Sequence, residues 1–248
     1  MMIDTHCHLS IKDYDNLEEV INHMNDNIIV ISGADPNDLE EVINIASKYD
    51  NIYATIGIHP EFANTYTDED INNIEKYINH PKVVGIGEIG LDYYWVKDNK
   101  ERQKELFIKQ IELANKYNKT IVIHSRDSIE DTYNILKEYS KTKINLHCYS
   151  SSVEMAKEFL KLNVYFGIGG VLTFKNSKVL KEVVNFLPIE KILLETDSPY
   201  LTPEPYRGHK NEPYNIKYVA EEIAKIKGIE IEKVFEITTN NAKSQFDL

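Results

Sequence analysis

The feature that most constrains this chain is a rhythm. Short runs rich in β-branched and aliphatic residues recur eight times along it: MMIDTH, IIVISG, IYATIGIH, VVGIGEIG, TIVIHSR, INLHCYS, VYFGIGG and ILLETD. Between them lie segments with helical spacing, such as Leu17, Val20, Ile21 and Met24, or Phe107, Ile111 and Ala114, or Ile216, Val219, Ile223 and Ile226. Strand then helix, repeated without a linker or low-complexity break, predicts an α/β chain closed into a (β/α)8 TIM barrel, with residues 1–248 as one domain. The Pro-rich stretch LTPEPYRGHKNEP reads as a loop after the eighth strand, because helical periodicity resumes directly beyond it.

Charge and cysteine usage narrow the function classes. With 28 Lys and Arg against 40 Asp and Glu the net charge is -12, which excludes a broad basic surface, so any nucleic-acid contact must be local. No apolar run approaches the roughly eighteen residues a membrane span needs, and the N-terminus lacks a basic-then-apolar signal pattern, so no membrane partner is expected and the cytoplasm is the expected location. The two cysteines, Cys7 and Cys148, each adjoin a histidine, which fits reduced thiols better than a disulfide. No obligate protein partner is inferred, and a monomer is expected.

On the predicted frame, His6 and His8 end the first strand, His59 the third, Glu88 the fourth, His124 the fifth, His147 the sixth and Asp197 the eighth. All fall at C-terminal strand ends, where barrels of this kind build their active sites. Residues two apart on a strand share a face, which groups His6 with His8 and His124 with Arg126 and turns Cys7 elsewhere. Five of the eight histidines then share one cavity. A lone histidine at a strand end is ordinarily a hydrogen-bonded structural residue. Several imidazoles and carboxylates crowded together repel or desolvate one another unless a cation neutralises them, so a metal centre is the economical reading. His23 and His80 read as surface residues, and Cys7 and Cys148 as packing residues turned away by strand alternation, soft metal ligation being the rival.

Imidazole and carboxylate donors suit zinc, manganese, iron or magnesium without singling one out. His6, His8, Glu88, His124, His147 and Asp197 are too many for one catalytic ion with an open position, but they suit two ions bridged by a carboxylate, for which Glu88 is the candidate. Two such ions lower the pKa of a shared water and neutralise charge on a phosphoryl oxygen, which is hydrolytic chemistry.

These residues carry a resemblance. The motifs DTHCHL, GIHP, VVGIGEIGLDYY, HSRD, HCYS, ETDSPYLTP and RGHKNEP stand in the order and spacing of the TatD family of metal-dependent deoxyribonucleases, which the chain resembles nearly end to end. The resemblance implies a (β/α)8 fold, two divalent ions (Mg, Mn or Zn) and hydrolysis of DNA, with RNA or D-aminoacyl-tRNA as further substrates in the family. Position by position, it implies one ion held by His6, His8, Glu88 and Asp197 and a second by Glu88, His124 and His147. It also implies that His59 lines the site toward a phosphate or behind a metal, and that Asp197 positions the attacking water and takes its proton, so that Asp197 and Glu88 are the catalytic residues. The chain departs from the family pattern at His147-Cys148-Tyr149-Ser150-Ser151, where HCFSG is common, and at Phe166-Gly167-Ile168-Gly169-Gly170. Both departures lie beside the pocket, where they bear on substrate preference.

Other residues have two readings each. Arg126 clamps a phosphate through paired hydrogen bonds, or it salt-bridges Asp92 or Asp127. Arg207, in the loop after the eighth strand, has a similar claim as a substrate contact. Tyr93, Tyr94 and Trp95 stack on unpaired bases or only cap the barrel. Asp4 and Glu195, each two residues before a ligand, form hydrogen-bonded support beneath the metals, or ion pairs within the barrel. The expected activity is a two-metal phosphodiesterase acting on DNA ends or single strands. The alternatives are a barrel hydrolase of another ester or amide, such as aminoacyl-tRNA deacylation, and a non-catalytic metal-binding protein. Amidohydrolases that bridge their metals through a strand-4 lysine are disfavoured, because GIGEIG offers Glu88 and no lysine.

Overall fold

The structure, a computed structural model, describes residues 1–95 and 97–248. Eight parallel strands are hydrogen-bonded in chain order: β1 (Ile3–Cys7), β2 (Ile28–Ser32), β3 (Ile52–Ile56), β4 (Val83–Asp92), β5 (Thr120–Arg126), β6 (Ile144–Leu146), β7 (Val164–Ile168) and β8 (Ile192–Leu194). The seam between β8 and β1 is drawn together by Thr5 Oγ1 donating to Leu194 O at 2.9 Å, Asp197 N to His6 O at 3.0 Å and His8 N to Ser198 O at 2.7 Å. The result is a (β/α)8 barrel, as the rhythm predicted.

The connecting helices are α1 (Leu17–His23), α2 (Leu39–Lys48), α3 (Asp68–Tyr77), α4 (Lys100–Tyr117), α5 (Ile129–Tyr139), α6 (Val153–Phe159), α7 (Lys178–Phe186) and α8 (Ile216–Lys227), with α9 (Ile231–Phe246) following α8. Their sequences explain their placement. On α8 the residues spaced for one face, Ile216, Val219, Ala220 and Ile223, are buried against the barrel, each large aliphatic contributing ~1.5–3 kcal/mol through removal from water, and Gly228 ends the helix with a positive φ of 64°. On α3 a Thr67–Asp70 capping box satisfies the first turn. The Pro-rich loop is held in place by Asn211, whose amide donates to Thr196 O and Tyr200 O and whose carbonyl accepts from Tyr14.

The two ends of the barrel differ. Helix α9 covers the N-terminal end: Ala242 and Phe246 pack with Ile3, Val122 and Leu193, while Gln245 O accepts from Thr120 and Asn241 donates to Ile192 O. The C-terminal end stays open above the polar ring.

Several strands differ from the sequence reading, β3 among them: it ends at Ile56, so His59 lies three residues beyond it and caps a short 3-10 turn instead. Strand β4 continues to Asp92, so Glu88 sits inside the strand rather than at its end, and its ladder to β5 slips between Ile86 and Ile89. That extension requires glycine at position 90, where φ is +145° and a Cβ would meet His124 O at 2.0 Å. Strands β6 and β8 stop early, at Leu146 and Leu194, because carboxylates capture the amides two residues further on. Cys148 N donates to Glu195 at 2.6 Å and Thr196 N to Asp4 at 3.0 Å. The chain leaves the ladder where the site begins.

Candidate metal centre

The site forms on the strand ends from β1, β4, β5, β6 and β8. His6 Nε2 and His8 Nε2 face one another at 3.3 Å. Glu88 Oε2 lies 3.4 Å from the first and 3.5 Å from the second, and Asp197 Oδ1 lies 3.7 and 3.5 Å from the same two nitrogens. Hydrogen-bonded pairs would close to about 2.7–3.2 Å. Donors at ~2.1 Å from one tetrahedrally held ion are ~3.4 Å apart, and the two histidine nitrogens keep about that spacing from each other and from each of the two carboxylate oxygens. The donors also present the right atoms. His8 Nδ1 donates to Ser32 O at 3.0 Å, which leaves the Nε2 lone pair aimed into the cluster. His147 Nδ1 lies 3.1 Å from Glu195 Oε1, an electrostatic contact rather than an aligned hydrogen bond, with Nε2 turned to the site 3.8 Å from both Glu88 Oε1 and Asp197 Oδ1. The His147 ring stacks on His6 at 3.5 Å between centroids. A divalent cation fits this donor set.

The other side of Glu88 is arranged differently. His124 Nδ1 is 2.7 Å from Glu88 Oε1 and His124 Nε2 is 3.0 Å from Asp92 Oδ2, so both ring nitrogens are engaged by carboxylates. His59 stands beside His124 with centroids 4.4 Å apart and its Nε2 4.0 Å from Glu88 Oε1. Its Nδ1 accepts from Glu61 N at 3.3 Å, which places its proton on Nε2, facing the cavity.

The charges of these side chains follow from burial and neighbours. Burial opposes ionisation of Glu88, yet the surrounding His147, His124 and His6 outweigh it and hold the carboxyl well below its usual range. Asp197 is lowered in the same way against burial, by His147 and His8. Burial depresses His124 and His147, but their carboxylate partners dominate, Asp92 and Glu88 pushing the first up to about 9 and Glu195 with Glu88 pushing the second up to about 10. His6 is lowered by burial and by His147, whereas at His8 the Asp197 contact overcomes burial and raises it. His59 is lowered by burial to about 4 and is neutral at pH 7.

Above the cluster opens a cavity of about 650 Å³ whose walls include His8, His59, Glu88, His124, His147 and Asp197, with fully buried His6 beneath them. The mouth is one-sided. Asp13, Asp35, Asp38, Glu41 and Glu61, from the connections after β1, β2 and β3 with Glu41 in the first turn of α2, line one wall, whereas Trp95, just beyond β4, and Arg126, from β5, line the other. Arg126 has no ion pair among the described residues, so neither Asp92 nor Asp127 neutralises it. Its guanidinium lies over Tyr94 at 4.2 Å and Trp95 at 5.3 Å.

The predicted residues fall into three groups. His6, His8, Glu88, Asp197, His147, His124 and His59 converge on the cavity, and Arg126 stands at its edge. Arg207 does not line the cavity; it is exposed and its guanidinium rests 4.1 Å from the Phe174 ring. The aromatic trio divides: Tyr93 is buried and donates to Asp131 at 2.7 Å, while Tyr94 and Trp95 are exposed. Of the two supporting acids, Glu195 meets His147, but Asp4 accepts from the His6 backbone and Thr196 and touches no ligand ring. Cys7 packs inside, as expected. Cys148 corrects the alternation argument: β6 has ended before it, its φ is +45°, and its sulfur comes within 4.8 Å of ligand atoms of His147 and Asp197.

Two contributors escaped the sequence reading. Asp92 orients His124, and its spacing of four residues from Glu88 on one strand was the available signal. Gly167 makes room for Glu195, since a Cβ there would lie 2.1 Å from Glu195 Oε2.

Comparisons with known proteins bear on the family and the fold. Residues 3–247 match the family described as TatD related DNase. An uncharacterized metal-dependent hydrolase of Bacillus subtilis, YabD, is 46% identical over 99% of this chain and 99% of its own length. Among solved structures, the TatD homologue YjjV of Escherichia coli superimposes with a TM-score of 0.91 at 26% identity, covering 100% of this chain and 98% of that one. A TatD family hydrolase of Entamoeba histolytica superimposes with a TM-score of 0.87 at 26% identity, covering 99% and 97%.

Proposed function

The chain belongs to the TatD family of metal-dependent hydrolases, and from that premise we propose that it is a two-metal phosphodiesterase acting on DNA ends or single strands. The observation that carries the reading is the pair of histidine nitrogens 3.3 Å apart, each 3.4–3.7 Å from a Glu88 and an Asp197 oxygen, at the foot of a cavity whose edge bears a guanidinium with no ion pair among the described residues. Such a site takes a divalent cation below and an anionic group above.

His6, His8, Glu88 and Asp197 would hold one divalent ion, and Glu88, His124 and His147 a second. Bound divalent ions supply Lewis acidity and lower the pKa of a coordinated water. Asp197 orients the attacking water and accepts its proton, with His147 and His8 holding its carboxylate ionised. Neutral His59 donates from Nε2 to a phosphoryl oxygen, and Arg126 neutralises a neighbouring phosphate. The acidic wall repels a continuing polyanion on the side of β1 to β3, so a strand reaches the site from the side of Arg126 and ends within it.

The test is metal-stripped protein reloaded with Mg, Mn or Zn and assayed on end-labelled single- and double-stranded DNA, RNA and aminoacyl-tRNA. Metal-dependent release of nucleotides from DNA termini is the expected result. Deacylation of aminoacyl-tRNA without phosphodiester cleavage would replace this reading by the ester-hydrolase alternative.

A further inference from the structure

On the open side of the cavity an aromatic pair is left uncovered in a way that packing does not account for. Trp95, the only tryptophan of the chain, is 69% exposed, and Tyr94 is 45% exposed. The two rings meet edge to face at 4.8 Å between centroids. Their turn is nonetheless fixed, because both backbone amides donate to Asp92 Oδ1, at 2.9 Å from Tyr94 and 3.0 Å from Trp95. The other oxygen of the same carboxylate holds His124, so the turn that carries the rings is tied through Asp92 to His124. An exposed tryptophan held in place presents a flat face at little entropic cost to a ligand.

The chemistry around the rings selects that ligand. Arg126 is parked on both ring systems and Asp92 does not neutralise it, so its charge is fixed by stacking yet available to an anion. Trp95 and Arg126 line the cavity together with Glu88 and His124. A phosphate at Arg126 and a planar ring on Trp95 are the two parts of one nucleotide. A paired base has both faces covered by its neighbours in the stack, whereas an unpaired base has a face to offer.

We infer that Tyr94, Trp95 and Arg126 form a subsite that stacks an unpaired nucleobase next to the phosphodiester being cleaved, with Arg126 taking the adjoining phosphate. The inference rests on the phosphodiesterase reading above. Base stacking is sequence-tolerant, so the subsite does not select sequence.

The lone tryptophan supplies its own reporter. Titrating the full-length protein with a short oligothymidylate should quench Trp95 fluorescence, and an abasic oligomer of equal length and charge should not. In turnover, Trp95→Ala should lower kcat/KM for the oligothymidylate by roughly 5- to 100-fold, the range expected of one base on one ring. The abasic oligomer, a diester without a ring to stack, should lose at least fivefold less. Trp95→Phe should restore most of the loss. Quenching by the abasic and base-bearing oligomers alike, or equal losses on both diesters, would overturn the subsite. If neither diester is cleaved, the phosphodiesterase reading fails, and the fluorescence comparison still decides whether a base is bound.

Discussion

The two oxygens of Glu88 look out on two differently built half-sites. Oε2 faces His6 and His8 at 3.4 and 3.5 Å, too far for good hydrogen bonds and well spaced for co-ligands. Oε1 faces His124 at 2.7 Å, in a charged hydrogen bond that Asp92 completes from the far side of the ring. One half holds its donors apart; the other lets them satisfy each other. The difference teaches that a shared residue inventory does not make two equal metal sites. The first half has no short hydrogen bond to break, whereas the second must give up the one between His124 and Glu88, and a proton, before His124 can ligate, so the two ions should bind with unequal affinity.

Glu88→Ala breaks the comparison outright, since it removes the group common to both halves. Ion content after saturation with manganese or zinc should fall from near two per chain to one or less. Hydrolysis should drop on the order of a thousandfold or more, the scale of lost metal-centred charge stabilisation. Elemental analysis with turnover on the same preparation checks this, and an unchanged ion count would remove Glu88 from the bridge.

Asp197→Asn separates chemistry from binding within the first half. The amide keeps the shape and one coordinating oxygen but lacks a basic carboxylate, so turnover should fall by roughly two to four orders of magnitude with much of the metal retained. Substrate affinity should change far less, because Arg126 and His59 remain. Single-turnover cleavage beside metal content measures it, and a near-parental rate in a two-ion mutant would make Asp197 a spectator.

Asp92→Asn sharpens the comparison, because Asp92 touches only the second half. Loss of its charge should weaken the second ion by about 10- to 100-fold, the usual cost of removing a partner behind a ligating histidine, while the first ion binds as before. Calorimetric titration with zinc resolves the two steps, and equal weakening of both would show that the halves are one unit.

How much of this was legible in the sequence follows the same division. The barrel was legible because hydrophobic period and strand spacing survive in any single chain, and the ring of His6, His8, His59, His124, His147 and Asp197 was legible because strand ends can be counted. Asp92 was not, since its role depends on β4 running past the predicted GEIG and on a slipped ladder that brings it opposite Arg126. Cys148 was misplaced because alternation holds only while the ladder lasts, and that ladder ends at Leu146. The acidic wall was invisible because Asp13, Asp35, Asp38, Glu41 and Glu61 come from three separate strand-to-helix connections, Glu41 from the start of α2, whose juxtaposition only the closed barrel creates. Arg207 fails for the same reason in reverse: its loop is in the right place, but its side chain turns to Phe174.

The smallest expected effect tests the mouth rather than the metals. The net charge is -12, one wall of the cavity is acidic, and Arg126 is the one arginine among the cavity's described lining residues. A bound strand therefore meets few cations, and few counterions are released when it binds. Each neutralised phosphate of a single strand contributes a slope of about 0.7 in log affinity against log salt. With two or three phosphates engaged, raising salt fourfold should weaken binding of a short single strand only about 7- to 20-fold. Affinity measured across that salt range on Arg126→Gln should show the slope reduced by about 0.7, the share of one contact. A parental slope indicating on the order of eight or more phosphates would place the strand on a basic track elsewhere and detach the one-sided mouth from substrate entry.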